Sequence, residues 1–75
     1  MPRLPQIKGD RLVSVLKMDG WYVDRRRGSH VIMRHEGKPD ARIVIPVHGK
    51  PVKPGTLGNI LKKAGLSVEE VKKLL

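Results

Sequence analysis

The chain has no cysteine and no phenylalanine, and only one tryptophan and one tyrosine. Without cysteine there is no disulfide staple and no thiolate metal site. That composition suits a reducing cytoplasm, where we expect the protein to act. With Trp21 and Tyr22 as its only aromatics, a sheet that reads single-stranded RNA by stacking base after base is not expected. Acidic residues are also scarce, with seven Asp and Glu against sixteen Lys and Arg. Long apolar runs are missing: the longest, around Ile43-Val44-Ile45, is far too short to cross a membrane. The start, Met1-Pro2-Arg3-Leu4-Pro5, lacks the apolar core of a secretory signal.

What is present is positive charge. A formal net charge of +9 on 75 residues calls for a polyanionic or acidic partner. The charge gathers at Arg25-Arg26-Arg27 instead of spreading evenly. Affinity for such a partner should rest on phosphate contacts and fall steeply with salt. The length fits one small domain over residues 1–75, with a core that depends on close helix-on-sheet packing.

The three arginines run into a Gly28-Ser29 turn, and His30 opens the segment that follows. Arginine binds phosphate, and turns present side chains to solvent. Histidine gives and takes a proton near neutral pH. RNA cleavage without a metal needs a group that deprotonates the ribose 2′-hydroxyl or protonates the leaving oxygen, and a side chain of pKa about 6.5 suits both tasks. His30 is therefore the candidate catalytic residue. Arg25, Arg26, Arg27, Gly28, Ser29 and Arg34 are candidate RNA-binding residues, joined by Lys50 and Lys53 ahead of a helix start. Tyr22, His35 or a water are weak candidates for the second proton-transfer group.

Periodicity orders the elements. Residues Met1 to Lys8 carry two prolines and read as an extended lead-in. Asp10 is a good N-cap, and Leu12, Val13 and Leu16 follow at helical spacing, giving a helix over Asp10 to Asp19 closed by Gly20. Trp21 to Arg27 alternates, with Trp21 and Val23 on one face and Tyr22, Asp24 and Arg26 on the other. His30 to His35 is a second strand, with Val31 and Met33 opposite His30, Ile32 and Arg34. Gly37-Lys38-Pro39-Asp40 reads as a turn, and Ala41 to Val47 as a third strand whose Pro46 argues for an edge position or an early stop. His48 to Gly55 has no regular period. A helix opens at Pro54 or Thr56, carries the stripe Leu57, Ile60, Leu61, Ala64 and ends at Gly65, with Leu66 closing the cap. Ser67 and Glu70 form a capping box for a short last helix with Val68, Val71, Leu74 and Leu75 on its apolar side. The expected fold class is α+β: α-β-β-β-α with a three-stranded antiparallel sheet, helices on one face, and a short C-terminal helix. His30, Tyr22, Arg26 and Arg34 would share the open face.

Other chemistries find little support. His30 and His35 are an odd number of positions apart, so a regular strand sends them to opposite faces, and no metal or cofactor is expected. The stretch His48 to Gly55 lacks the Gly-x-x-x-x-Gly-Lys-Ser/Thr pattern, and Pro51 and Pro54 remove backbone donors. Ser14, Ser29 and Ser67 have no evident relay.

Three segments, in order, carry a resemblance: Asp19-Gly20-Trp21; Arg25-Arg26-Arg27-Gly28-Ser29-His30; and Ile45-Pro46-Val47-His48 followed by Pro54-Gly55-Thr56-Leu57 and Ile60-Leu61-Lys62-Lys63-Ala64-Gly65-Leu66. Over roughly Asp10 to Leu66 the chain resembles the HicA toxins of HicA–HicB toxin–antitoxin pairs. The resemblance implies a fold like the double-stranded RNA-binding domain. It implies the toxin of a type II toxin–antitoxin system, an mRNA interferase that cuts RNA and halts growth. It maps the family's catalytic histidine onto His30 and its glycine onto Gly28, and implies inhibition by a HicB-like antitoxin. No role is carried over to His48.

Three readings compete. The first is a metal-independent endoribonuclease using His30. The second is a double-stranded RNA-binding module with no chemistry. The third is a protein–protein module whose basic face meets an acidic partner, and it is compatible with the second.

Overall fold

The computed structural model describes residues 5–75; the first four residues of the expected lead-in lie outside the described residues. Six elements follow in the order α1 (Gly9–Met18), β1 (Trp21–Arg27), β2 (His30–His35), β3 (Lys38–Pro46), α2 (Pro54–Ala64) and α3 (Val68–Leu74). The strands form one antiparallel sheet in the order β1-β2-β3. The α+β reading holds, down to the short third helix.

One sheet face is covered. Trp21, Val31, Met33, Ile43 and Ile45 pack under Leu12, Val15 and Leu16 of α1 and Leu57, Ile60, Leu61 and Ala64 of α2. Val23 and Ala41 are half-buried at its margin, and fully buried Val71 ties α3 to the same core. The opposite face carries Tyr22, Arg34, Arg42 and Val44. Ile32 sits there between Arg25 and Val44 in register and is nonetheless buried.

Several boundaries differ from expectation for identifiable reasons. Helix α1 starts one residue early, with Lys8 and not Asp10 at the N-cap. A Cβ at Gly9 would lie 2.1 Å from the Pro46 carbonyl oxygen, so only glycine lets the helix start press against the end of β3. Lys8 itself is extended and bridges Pro51, while Val52 N–H donates to the Ile7 carbonyl at 2.8 Å. The lead-in and the loop after β3 thus hold each other and bury Ile7 and Val52. Asp10 falls in the first turn, where its charge suits the helix dipole and its carboxylate accepts from Arg11 N–H.

The expected turn at Gly37 to Asp40 is instead the two-residue Glu36-Gly37 link, and β3 begins at Lys38. His35 pairs with Lys38 and Arg34 with Arg42, so Pro39, Asp40 and Ala41 bulge from the strand. Strand β3 ends at Pro46, on the sheet edge, as proline's missing donor requires. Pro54 is the first residue of α2. Gly65 ends that helix in the left-handed region, and Leu66 N–H reaches back to the Leu61 carbonyl at 3.0 Å. Both capping-box bonds between Ser67 and Glu70 form, each at 3.1 Å. Leu75 lies beyond α3 and is exposed.

Candidate nucleic-acid interface

The arginine run acquires its geometry from one irregularity. Val23 pairs with Met33 and Arg25 with Ile32, leaving Asp24 as an extra residue, a β-bulge. Past the bulge the alternation inverts. Arg25 is level with Ile32 and Arg27 with His30, on the open face; Arg26 is level with Val31, on the helix-covered face. This corrects the regular alternation, which put Arg26 beside His30 and Arg25 and Arg27 behind the sheet. Asp24 reaches the open face too, where it accepts from Arg34 Nε at 3.4 Å.

The turn that follows is tight. Gly28 has φ 58° and Ser29 an ordinary negative φ, the pattern of a two-residue II′ hairpin, which requires glycine at the first position. Nothing crowds Gly28 within 4 Å, so backbone conformation alone selects it. Arg27, Gly28, Ser29 and His30 are all exposed. His30 lies between Arg27 and Pro46 in register. Val47 N–H donates to the Ser29 carbonyl at 2.6 Å, so the pairing runs one step past β3. That bond starts the exposed His48-Gly49-Lys50 segment beside the Gly28-Ser29 turn. The β-branched run leading into Val47 carries the ladder up to His48, which is exposed there.

The other candidates are dispersed. Arg34 shares the open face but is four residues along β2 from His30, about 13 Å. It is half-buried and tied to Asp24, so part of its charge is already answered. Tyr22 pairs with Arg34 and is equally remote from His30. His35 turns to the covered face. Its Nδ1 accepts from Gly37 N–H at 3.0 Å, which puts the ring proton on Nε2 to donate to the Asp19 carbonyl at 3.1 Å. Its ring meets Trp21 edge-on at 5.3 Å. Neither Tyr22 nor His35 is brought to His30 as a second proton-transfer group. Lys53 stands exposed at the N-cap of α2, with Lys50 three residues before it. Among the described residues, no hydrogen bond fixes the His30 ring, and no three His, Asp or Glu side chains gather at metal-binding distance.

The cluster Arg25, Arg27, His30 is thus a solvent-facing set of two fixed cations and one proton carrier at the end of a sheet. Two guanidinium groups can hold a phosphodiester while the imidazole exchanges a proton with an attacking or leaving oxygen. Among the described residues, no helix is long and apolar enough to cross a membrane.

A family model described as the HicA toxin of bacterial toxin-antitoxin matches residues 9–66, from the first residue of α1 to Leu66, just past the Gly65 cap of α2. No curated protein matches the chain.

Proposed function

The chain belongs to the HicA toxin family and is the toxin of a toxin–antitoxin pair; we propose that it acts as a metal-independent endoribonuclease, an mRNA interferase of the cytoplasm, restrained by a HicB-like antitoxin. The observation that carries this reading is the bulge at Asp24, which turns Arg25 and Arg27 to the face of His30. Arg25 and Arg27 would hold the scissile phosphate and its neighbour. His30 would take the proton from the 2′-hydroxyl as its oxygen attacks phosphorus, or return one to the departing 5′-oxygen. Gly28, Ser29, Lys50 and Lys53 would extend the grip on the RNA backbone, Gly28 and Ser29 through a turn narrow enough for close approach, while Arg26, on the other face, would stand outside it. Arg34 would contribute only after parting from Asp24.

The test is incubation of the purified protein with a labelled RNA in excess EDTA, beside a His30→Ala variant. The parent should cut, and the variant should bind the RNA at low salt without cutting it. Equal cutting by both would remove His30 from the mechanism. The absence of Tyr22 and His35 from the neighbourhood of His30 favours one alternative, a double-stranded RNA-binding module without chemistry; it predicts salt-dependent retention of RNA and no product from either protein.

A further inference from the structure

The two edges of the sheet are unlike. Strand β1 is blunted by its bulge and by three successive arginines, both of which discourage strand pairing. Among the described residues, strand β3 is guarded only at its ends, by the bulge Pro39 to Ala41 and by Pro46. Between them, Arg42-Ile43-Val44-Ile45 is a bare, β-branched edge.

The phase of its hydrogen bonds follows from one contact. Val47 bonds to Ser29, so the pairs Ile45–Val31 and Ile43–Met33 also exchange bonds, by antiparallel alternation. Pro46, Val44 and Arg42 fall in the other class. Their carbonyls, and the N–H groups of Val44 and Arg42, point away from β2. The Pro46 carbonyl is met by Gly9. Those of Val44 and Arg42 open into a groove of about 220 Å³ between β3 and α2.

The far wall of that groove is Thr56, Asn59, Ile60 and Lys63, the i, i+3, i+4, i+7 face of α2. The groove thus has a strand edge on one side and a helix on the other, the arrangement in which domains capture an extended peptide as an added strand. Arg42 and Lys63 flank it, and none of its lining residues is acidic. Val44 is 38% exposed and offers the occupant an apolar contact on the open face. Phosphate oxygens can accept from outward N–H groups but offer no donor to the carbonyls that alternate with them; a polypeptide in extended form satisfies both.

We propose that the groove between β3 and α2 receives a short extended segment of the antitoxin, with acidic side chains directed at Arg42 and Lys63, as a fourth strand of the sheet. The proposal rests on the toxin–antitoxin reading above. It gives the antitoxin a hold on the toxin at the strand next to the one that carries His30.

Val44→Pro tests it cleanly. Proline there removes an outward N–H and no bond to β2, and such edge positions tolerate proline. Lys63→Glu, on the opposite wall, tests the charge. The measurement is titration of each protein with the antitoxin purified from co-expression, alongside RNA cutting by the free toxins. Each variant should bind the antitoxin about tenfold more weakly or worse, with cutting and thermal midpoint close to the parent's. Antitoxin binding equal to the parent's in both variants would overturn the groove proposal alone. Loss of RNA affinity with antitoxin affinity intact would overturn it in favour of an RNA groove. Failure of the parent to bind the antitoxin would overturn the underlying reading as well.

Discussion

Replacing Arg27 and Arg26 by glutamine, one at a time, separates the bulged geometry from a regular strand. The two residues are adjacent in sequence and both exposed, so composition and net charge change identically. Arg27 stands directly across from His30, where cross-strand neighbours lie about 4.5–5.5 Å apart at Cβ. A phosphate held beside His30 is then within about 4 Å of the Arg27 guanidinium, an attraction of about 1 kcal/mol at full water screening and about 4 kcal/mol at a typical protein surface. Arg26 points to the other face. Its charge is roughly 12 Å from the same phosphate, where about 0.3 kcal/mol survives in water and physiological salt, with a screening length of about 8 Å, removes most of that. Arg27→Gln should therefore lower kcat/KM for a labelled oligoribonucleotide about tenfold, and Arg26→Gln less than about twofold. Neither should shift stability by more than about 0.5 kcal/mol, as for other surface changes. An Arg26→Gln loss as large as that of Arg27→Gln would show that the inverted alternation does not organise the site.

Three further substitutions read other parts of the design. Gly9→Ala would ordinarily stabilise a helix, but its Cβ would meet the Pro46 oxygen at 2.1 Å with backbone on both sides, so the melting temperature should instead fall, by roughly 4–8 °C for each kcal/mol of the clash. Gly28→Ala meets no atom within 4 Å and pays only for a φ of 58°, about 1–2 kcal/mol; cutting should drop more than stability does, as the hairpin that aims His30 relaxes. His35→Ala forfeits two hydrogen bonds and an edge-on contact with Trp21, about 2–3 kcal/mol by denaturant titration, while the folded protein cuts RNA at the parent rate.

Where apolar residues mark a period, the sequence alone is a sufficient guide. Strands β1 and β2 begin and end where Trp21 and Arg27, His30 and His35 suggest, and Gly65 and the Ser67–Glu70 capping box stand as read. The bulge at Asp24 leaves no such mark. From Asp24 to Arg27 every residue is polar, so adding one residue to the strand moves no hydrophobic side chain to the wrong face, and the two registers look alike. Because Arg25, Arg26 and Arg27 lie beyond that point on β1, the sequence names them as candidates without telling which face each one takes. Asp10 failed as a cap because a tertiary contact, Gly9 against Pro46, decides where the helix starts. Lys38-Pro39-Asp40 has turn composition, yet Glu36-Gly37 closes the hairpin in two residues and the turn-like residues become a bulge. Ile7 and Val52 are isolated apolar residues among prolines; only their pairing in space shows that they belong to the core.

The two histidines of β2 stand in opposite surroundings. At the His35 end polar groups are engaged: both ring nitrogens of His35 are bonded, and Lys38 Nζ lies 5.7 Å over the Trp21 ring while donating to the Ala64 carbonyl at 2.9 Å. A histidine so held can meet a substrate only by releasing Asp19 and Gly37, at about 1 kcal/mol for each bond. At the other end, among the described residues, backbone bonds alone fix the chain, and His30 and His48 are exposed. A side chain that is to move a proton must keep a nitrogen free; one that is to hold the fold must not. If the proposed mechanism holds, strand β2 carries both kinds five residues apart, and its anchored end would set the position from which His30 acts.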